Sequence, residues 1–359
     1  MNPLRLPTPN ATPRIPTLGA QRLRNIASSS SAETKDSKDR TVQQTDQDAS
    51  QSRLSAVDTG YLHDDFAKAF CQQRGTRKFP LINRGTFVRT TALDRLVNIF
   101  LLSTPPTQRK QIISFGAGSD TRYFRLRQSL PADVLRNLVY HEIDFAAVTT
   151  PKIASILRNK LLPSQEITAV DEAAGSLAAD GSYYIHPLDL RSLRPGCEPP
   201  TGVELKDIPT LFLSECCLIY LSPEEADDIV RWTTTDFSAS VGMAVYEPIG
   251  GEDAFGKVMI QNLAARGIVL KTLKRYSTLE RQRLRFRTLG YTTRQEAADV
   301  YYISENWVAD EEKERIARLE MLDEVEEWRM LARHYCVAWA WRGDEFDVWN
   351  GAVPLQAAD

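Results

Sequence analysis

Two glycines follow the first apolar run of the sequence, in the segment SFGAGSDTRYFRL at 114–126. Gly116 and Gly118 form a GxG turn, and glycine lets a chain turn tightly and approach a ligand closely where a strand ends. A dinucleotide fold favours the longer pattern GxGxxG, but Thr121 stands in place of the third glycine. This argues against a dehydrogenase. By itself the turn is weak evidence for a cofactor site, because many turns use GxG for structural reasons.

The next apolar run ends in a carboxylate, Asp144 of the segment HEID. An aspartate at the end of the second strand can accept hydrogen bonds from the ribose hydroxyls of an adenosine. The structural alternative is a helix N-cap, which aspartate also favours. Taken with the glycine turn, the sequence favours ribose binding.

The third and fourth runs supply two further carboxylates. The third ends in PLDL, where Asp189 can accept a hydrogen bond from an adenine amino group and Leu190 can contact the ring. A loop cap is the simpler alternative for Asp189. The fourth run, LFLSECCLIYLSPEE, is apolar through its strand except for Ser214 and Glu215. A carboxylate inside a buried strand is costly unless it is paired, so we expect Glu215 to meet a cation such as a ligand ammonium.

The elements that hold these residues alternate between short apolar runs and helical patterns, the latter notably at 61–102, 253–265 and 310–332. This alternation predicts an α/β fold with a doubly wound, mostly parallel sheet. Strand ends meet at one edge of such a sheet, where these folds bind ligands. The predicted strands are 111–116, 138–145, 182–190, 209–221, 241–249, 300–304 and 334–341.

Composition narrows the classes of function. The net charge of −3 gives no electrostatic footprint for nucleic acid or an anionic membrane. No apolar run approaches the ~20 residues of a membrane-spanning helix. The five cysteines have no CxxC spacing, and the four histidines show no metal-ligand pattern. We expect a protein of the cytoplasm or nucleus, without a metal.

Residues 1–50 are predicted to be a disordered tail that chemistry does not need. Prolines crowd its start and polar residues fill the rest, so it buries too little apolar surface to offset its ordering entropy. The first 32 residues contain no acid and several arginines, as in a transit peptide, but their prolines interrupt the amphipathic helix that such a peptide needs. The predicted catalytic domain is 51–343, followed by a C-terminal tail at 344–359.

Several segments in combination resemble the leucine carboxyl methyltransferase family: GAGSDTR, EIDF, PLDL, SECCLIYLSPEE, FGKVMIQNL and LEMLDEVEEWRMLARHYC. The resemblance runs from about Arg53 to Arg342. It implies a class I S-adenosylmethionine methyltransferase fold, with a seven-stranded sheet, an antiparallel last strand, and added N-terminal and insertion helices. The implied donor is S-adenosylmethionine. The implied substrate is the C-terminal leucine carboxylate of the catalytic subunit of type 2A-like protein phosphatases, and we expect a monomer.

The resemblance also implies roles for individual residues. In the segment INRGTFVRT at 82–90, Arg89 would grip the donor's carboxylate; a solvated helix arginine is the alternative. Arg53 stands where the family has a lysine, so its role carries over less firmly. Tyr220 is a candidate to face the reacting carboxylate, or else a core aromatic. The remaining donor contacts would be Gly116 along the donor, Asp144 at the ribose, Asp189 with Leu190 at the adenine, and Glu215 at the methionine part.

Three other interpretations are weighed against this one. Methyltransferases of tRNA wybutosine synthesis share the signature but continue into a long repeat domain, which this sequence does not contain. Bacterial small-molecule O-methyltransferases share GAGxDTR but lack the FGKVMIQNL and RMLARHYC elements. A non-catalytic adenosine-binding regulatory module would use the same strand ends without transferring a methyl group.

Overall fold

A computed structural model describes residues 35–71, 73, 75–103, 105, 107–323 and 325–357. Its central sheet has nine strands in the order β3-β4-β5-β2-β1-β6-β7-β9-β8. The strands are β1 (Lys110–Phe115), β2 (Leu138–Asp144), β3 (Ile167–Asp171), β4 (Ser176–Ala179), β5 (Tyr183–Pro187), β6 (Thr210–Glu215), β7 (Val241–Pro248), β8 (Arg294–Asp299) and β9 (Tyr335–Arg342).

Five neighbouring strands, β5-β2-β1-β6-β7, are parallel, and β9 is inserted antiparallel between β7 and β8. These seven strands confirm the predicted α/β fold and its antiparallel last strand. The antiparallel hairpin β3–β4 extends the sheet beyond β5 and was not predicted. Because β3 is at the edge and its residues are mostly exposed, it lacks the apolar run that marks a buried strand.

Twelve α-helices accompany the strands in the described residues. They are α1 (Lys35–Thr59), α2 (Ala67–Phe70), α3 (Pro80–Leu102), α4 (Arg122–Ser129), α5 (Ala132–Arg136), α6 (Ala146–Arg158), α7 (Pro223–Thr235), α8 (Ala254–Ala265), α9 (Leu279–Thr288), α10 (Val300–Asn306), α11 (Asp310–Ala317) and α12 (Val325–Arg333). The pattern predicted at 253–265 is confirmed as α8, whereas the one at 310–332 is divided between α11 and α12. The pattern at 61–102 forms a long helix only from Pro80, which occupies the first turn.

The strand predicted at 300–304 is wrong. Asp299 caps a helix there, with its Oδ1 accepting a hydrogen bond from the Tyr302 amide at 2.6 Å. The sheet strand is instead the preceding segment RQEAAD, which pairs only with β9. Such an edge strand can be polar, so it has no apolar signal in the sequence.

The predicted N-terminal boundary is also wrong for the described part of the tail. Residues 35–50 belong to helix α1, which continues to Thr59, while residues 1–34 lie outside the described residues. Ser50 and Leu54 are buried. This polar segment is ordered because its partners lie elsewhere in the chain. It has no local apolar periodicity, so the sequence pattern did not predict the helix.

The segment 344–359 is not a free tail over its described part. It contains a 3₁₀ helix at Asp344–Trp349, and Phe346 and Val353 are buried. The Phe346 ring stacks on Phe100 of α3 at 4.6 Å between centroids, and the Trp349 indole donates a hydrogen bond to the Leu96 carbonyl at 3.0 Å. Apolar residues close to a chain end pack here as a continuation of the core.

Candidate active site

A cavity of about 390 Å³ opens at the carboxyl ends of β1, β2, β5 and β6, a volume typical of small-molecule sites. Its lining includes all eight residues that the sequence predicted for the site: Arg53, Arg89, Gly116, Asp144, Asp189, Leu190, Glu215 and Tyr220. The expected convergence of separate strand ends at one edge is therefore found in the structure.

The glycine turn is built so tightly that side chains do not fit. Gly116 and Gly118 have φ angles of +61° and +48°, a region that favours glycine. A Cβ on Gly116 would lie 2.4 Å from the Cys217 sulfur, and a Cβ on Gly118 would lie 2.3 Å from an Asp46 oxygen. The turn thus presents bare backbone to the cavity.

The Asp144 carboxylate lies directly against this turn. Its Oδ2 accepts a hydrogen bond from the Gly118 amide at 2.8 Å, and its Oδ1 accepts one from the Phe145 amide at 2.7 Å. Burial raises the pKa of Asp144 to about 6, although these two amides oppose the shift. Each oxygen can accept two hydrogen bonds, so the contacts within the described residues leave lone pairs of this carboxylate for a ligand.

Asp189 caps the short 3₁₀ helix at Leu190–Ser192 and pairs with Arg191, whose Nη2 lies 2.6 Å from Oδ2. The capping role that the sequence offered as an alternative is therefore present. The same carboxylate also lines the cavity beside the buried Leu190. Arg191 contacts both oxygens of this carboxylate, with Nε 2.8 Å from Oδ1 and Nη2 2.6 Å from Oδ2.

Glu215 meets two cations of the protein itself. Its Oε2 accepts a hydrogen bond from the Arg89 Nε at 2.7 Å, and its Oε1 accepts one from the Arg122 Nη2 at 2.7 Å. Burial by itself would raise the pKa of Glu215, but the charges of Arg122 and Arg89 outweigh it and lower the pKa. The sequence anticipated a cationic partner but did not identify these arginines.

Arg89 extends from α3 into the cavity. Its guanidinium lies over the Tyr246 ring, 4.8 Å from the centroid. Burial opposes its charge, but Glu215 outweighs burial and raises the pKa of Arg89. Within the described part of the chain, the Nε contact to Glu215 is the only hydrogen bond of this guanidinium. Its two Nη groups are therefore available to a ligand carboxylate, which suits a two-pronged contact.

Arg53 also lines the cavity, but its charge is directed toward the protein. Its Nη1 donates a hydrogen bond to the buried Asp64 at 3.0 Å, and its Nη2 lies 4.0 Å from Asp120. Burial and the neighbouring Arg125 lower the pKa of Arg53. The side chain thus helps to hold α1 against the glycine turn.

Tyr220 ends a 3₁₀ turn that starts after an unusual backbone bend. Cys216, directly after β6, has a φ of +51°, which is rare for a residue with a side chain. Its amide donates a hydrogen bond to the Tyr246 carbonyl at 2.8 Å. The bend places Cys216, Cys217 and Tyr220 along the cavity. Burial raises the pKa of all three, so the thiols and the phenol are protonated at neutral pH.

Asp46 also lines the cavity, but the sequence analysis did not identify it as a site residue because it lies in the predicted tail. Asp46 projects from α1, and its Oδ1 accepts a hydrogen bond from the Ser119 amide at 2.7 Å. Its charge also contributes to the raised pKa of Asp144. On the same helix, Asp48 forms an ion pair with Arg266, so α1 contacts both the glycine turn and the residue that follows α8.

Comparison with known proteins decides the family. The family model described as leucine carboxyl methyltransferase matches residues 41–234. Leucine carboxyl methyltransferase 1 of Aspergillus fumigatus is 50% identical, over 87% of this chain and 86% of the relative. The chain belongs to the leucine carboxyl methyltransferase family. Enzymes of this name from Emericella nidulans (48% identical, over 97% of this chain and 100% of the relative) and Schizosaccharomyces pombe (44%, over 87% and 97%) are similar too.

Family membership makes the chain an S-adenosylmethionine-dependent methyltransferase. The helices around the cavity contribute apolar side chains to its lining. These side chains come from three helices or their flanks and are mainly Leu81, Ile82, Leu263, Ile268, Trp328 and Leu331. The described residues include no helix long and apolar enough to cross a membrane, and no cluster of side chains that could hold a metal ion.

Proposed function

We propose that this methyltransferase esterifies the C-terminal leucine carboxylate of the catalytic subunit of type 2A-like protein phosphatases. The observation that carries the proposal is the Arg89–Glu215 pair at the end of β6. It offers one cationic and one anionic group to the amino-acid end of a donor, next to a glycine turn and a ribose-binding carboxylate. The substrate follows from the family, whose relatives are named for leucine carboxyl methylation.

The residues present fit S-adenosylmethionine. Gly116 and Gly118 line the cavity with backbone alone, so a donor can approach the turn closely. In our proposal Asp144 holds the ribose, Asp189 and Leu190 hold the adenine, and the free Nη groups of Arg89 hold the carboxylate. Glu215 accepts from the ammonium with the lone pairs that its arginines leave open.

When bound, S-adenosylmethionine supplies a methyl group activated by its sulfonium. The leucine carboxylate is anionic at neutral pH, so the chain needs no general base. Its residues instead align the two reactants and exclude water from the nucleophile. Tyr220 can donate a hydrogen bond and keep its proton at neutral pH, because burial raises its pKa.

The rim of the cavity suits a protein substrate. Val258 and Ile260 on α8 and Met330 on α12 are exposed apolar side chains, and the same two helices contribute Leu263 and Leu331 to the cavity walls. Apolar surface next to a pocket is typical of protein interaction sites. We propose that the chain acts as a monomer in the cytoplasm or nucleus.

The test is transfer of labelled methyl groups to purified phosphatase catalytic subunit, with and without its terminal leucine. We expect incorporation only into the intact subunit, and loss of the label under mild alkaline hydrolysis, as for a methyl ester. Equal labelling of both forms would refute the proposed site of methylation. Labelling of free small carboxylic acids in preference to the subunit would instead support the small-molecule alternative.

A further inference from the structure

Three carboxylates from three parts of the chain meet at one buried guanidinium, that of Arg122, which is 1% exposed. The Arg122 Nε donates a hydrogen bond to Oδ1 of Asp94 at 2.9 Å, and Nη1 donates one to Oδ2 of Asp120 at 2.6 Å. Nη2 donates the third, to Oε1 of Glu215 at 2.7 Å. Asp94 lies on α3, Asp120 in the glycine turn and Glu215 at the end of β6. Each nitrogen of the guanidinium is therefore committed to a different element.

Only two of these carboxylates line the cavity. Glu215 and Asp120 line the cavity, whereas Arg122 and Asp94 do not. Any effect of Arg122 on a ligand must therefore pass through the groups that it holds.

We infer that Arg122 is a positioning residue for the donor site, which fixes the Glu215 carboxylate so that Arg89 stays turned toward the donor. The inference rests on the proposed function in one respect, namely that Arg89 and Glu215 hold the donor. Arg122 also anchors α3 through Asp94, five positions along the helix from Arg89, so it fixes both members of the pair.

The physical reason is competition for the Arg89 guanidinium. Each oxygen of Glu215 now serves one arginine, and Arg89 uses only its Nε. Without Arg122, Glu215 is free to turn and take Arg89 in a two-pronged pair, which is the stronger geometry. The Nη groups would then be occupied, and the donor carboxylate would lose its partner.

Arg122→Lys is the direct test, because one ammonium on a flexible stem cannot serve three carboxylates in fixed directions. Residues that orient ligand-binding groups cost about 10–100-fold when replaced, as known for metal ligands. We expect the Kd for S-adenosylmethionine, measured by calorimetry, to rise about tenfold or more. The kcat at saturating donor should change by less than about threefold, since Arg122 touches no reacting group.

Arg125→Lys is the matched control. Arg125 pairs with the same Asp94, with Nη2 3.2 Å from Oδ1, and donates to the Thr121 hydroxyl at 3.2 Å. It neither contacts Glu215 nor lines the cavity. We expect this variant to lose thermal stability but to keep the donor Kd within about twofold of wild type.

A second variant keeps the inference testable if Arg122→Lys does not fold. Asp94→Asn weakens both the Arg122 and the Arg125 contact, so any loss of affinity beyond that of Arg125→Lys reports on Arg122. Two results would overturn the inference. One is wild-type affinity for the donor in a folded Arg122→Lys. The other is a loss of donor affinity in Arg125→Lys that equals the loss in Arg122→Lys or in Asp94→Asn. Failure of the wild-type protein to bind the donor would overturn the proposed function instead.

Discussion

The pH dependence of donor binding should reveal Asp144 directly. Burial raises the pKa of this carboxyl to about 6, well above the ordinary value of about 3.9. Ribose hydroxyls donate hydrogen bonds, and a charged acceptor binds them more strongly than a neutral one. Donor affinity should therefore fall as the pH decreases through 6.

The size of the effect follows from the pKa. With a pKa of about 6, Asp144 is roughly nine-tenths ionised at about pH 7 and roughly one-tenth ionised at about pH 5. If only the ionised form binds well, the Kd should rise about tenfold across this range. The range also lies below the titration of the donor's α-amino group, at about 7.7–8.0.

Asp144→Asn should remove this dependence. The variant is expected to bind about 1–3 kcal/mol more weakly near pH 7, the scale of a hydrogen bond to a charged group, and to show a flat Kd down to about pH 5. Its fold should survive, because two effects on the free energy of unfolding oppose each other. Asparagine removes a buried charge worth at most about 3 kcal/mol at 1.36 kcal/mol per pKa unit, and it leaves one of the two backbone amides without an acceptor, at about 1–3 kcal/mol.

The measurement is calorimetry with S-adenosylmethionine at several pH values, and thermal melting of the ligand-free protein. Since the pKa in the fold is raised, ionisation of Asp144 should lower the stability of the wild type as the pH rises through 6, and Asp144→Asn should lack this change. Asp46→Asn is the control, because it removes a charge that raises the pKa of Asp144 and should move the binding transition to lower pH. An unchanged slope in Asp144→Asn would show that another group titrates and would refute the reasoning.

Three further predictions concern other parts of the molecule. Arg89→Ala should weaken donor binding by about 2–5 kcal/mol and Arg89→Lys by less, with melting temperature as the control; wild-type affinity in both would remove Arg89 from the site. Cys216→Val should lower the free energy of unfolding in urea by about 1–3 kcal/mol, because residue 216 has a φ of +51°. Cys216→Gly should be tolerated, and equal losses of stability in the two variants would contradict the role of the backbone bend. Trp349→Ala should cost about 3–5 kcal/mol, while a variant that loses under 1 kcal/mol would show that the C-terminal segment does not belong to the core.

The residues at the strand ends could be predicted because each stands where an apolar run stops. Gly116, Asp144 and Glu215 were identified in this way, and parallel strands bring such ends to one edge. Arg122 lay in the same motif but was missed, since its partners come from α3 and β6 and no spacing in the sequence relates them. Asp46 was missed for a similar reason, because α1 is polar and depends on contacts far along the chain. Local sequence patterns therefore predict the strands and the residues at their ends. Networks of ion pairs depend on the tertiary fold, so spacing in the sequence does not predict them.

The contact between α3 and the end of the chain has a consequence for synthesis. The helix that carries Arg89 leaves the ribosome well before Phe346 and Trp349, yet its inner face packs against these two residues. Arg95 on the same helix also donates a hydrogen bond to the Ala352 carbonyl at 3.0 Å. A nascent chain that has reached Gly343 already contains all eight predicted site residues, but part of α3 is still without its cover. Such a chain exposes apolar surface that chaperones bind, so this part of the core forms only after Phe346 and Trp349 have been translated.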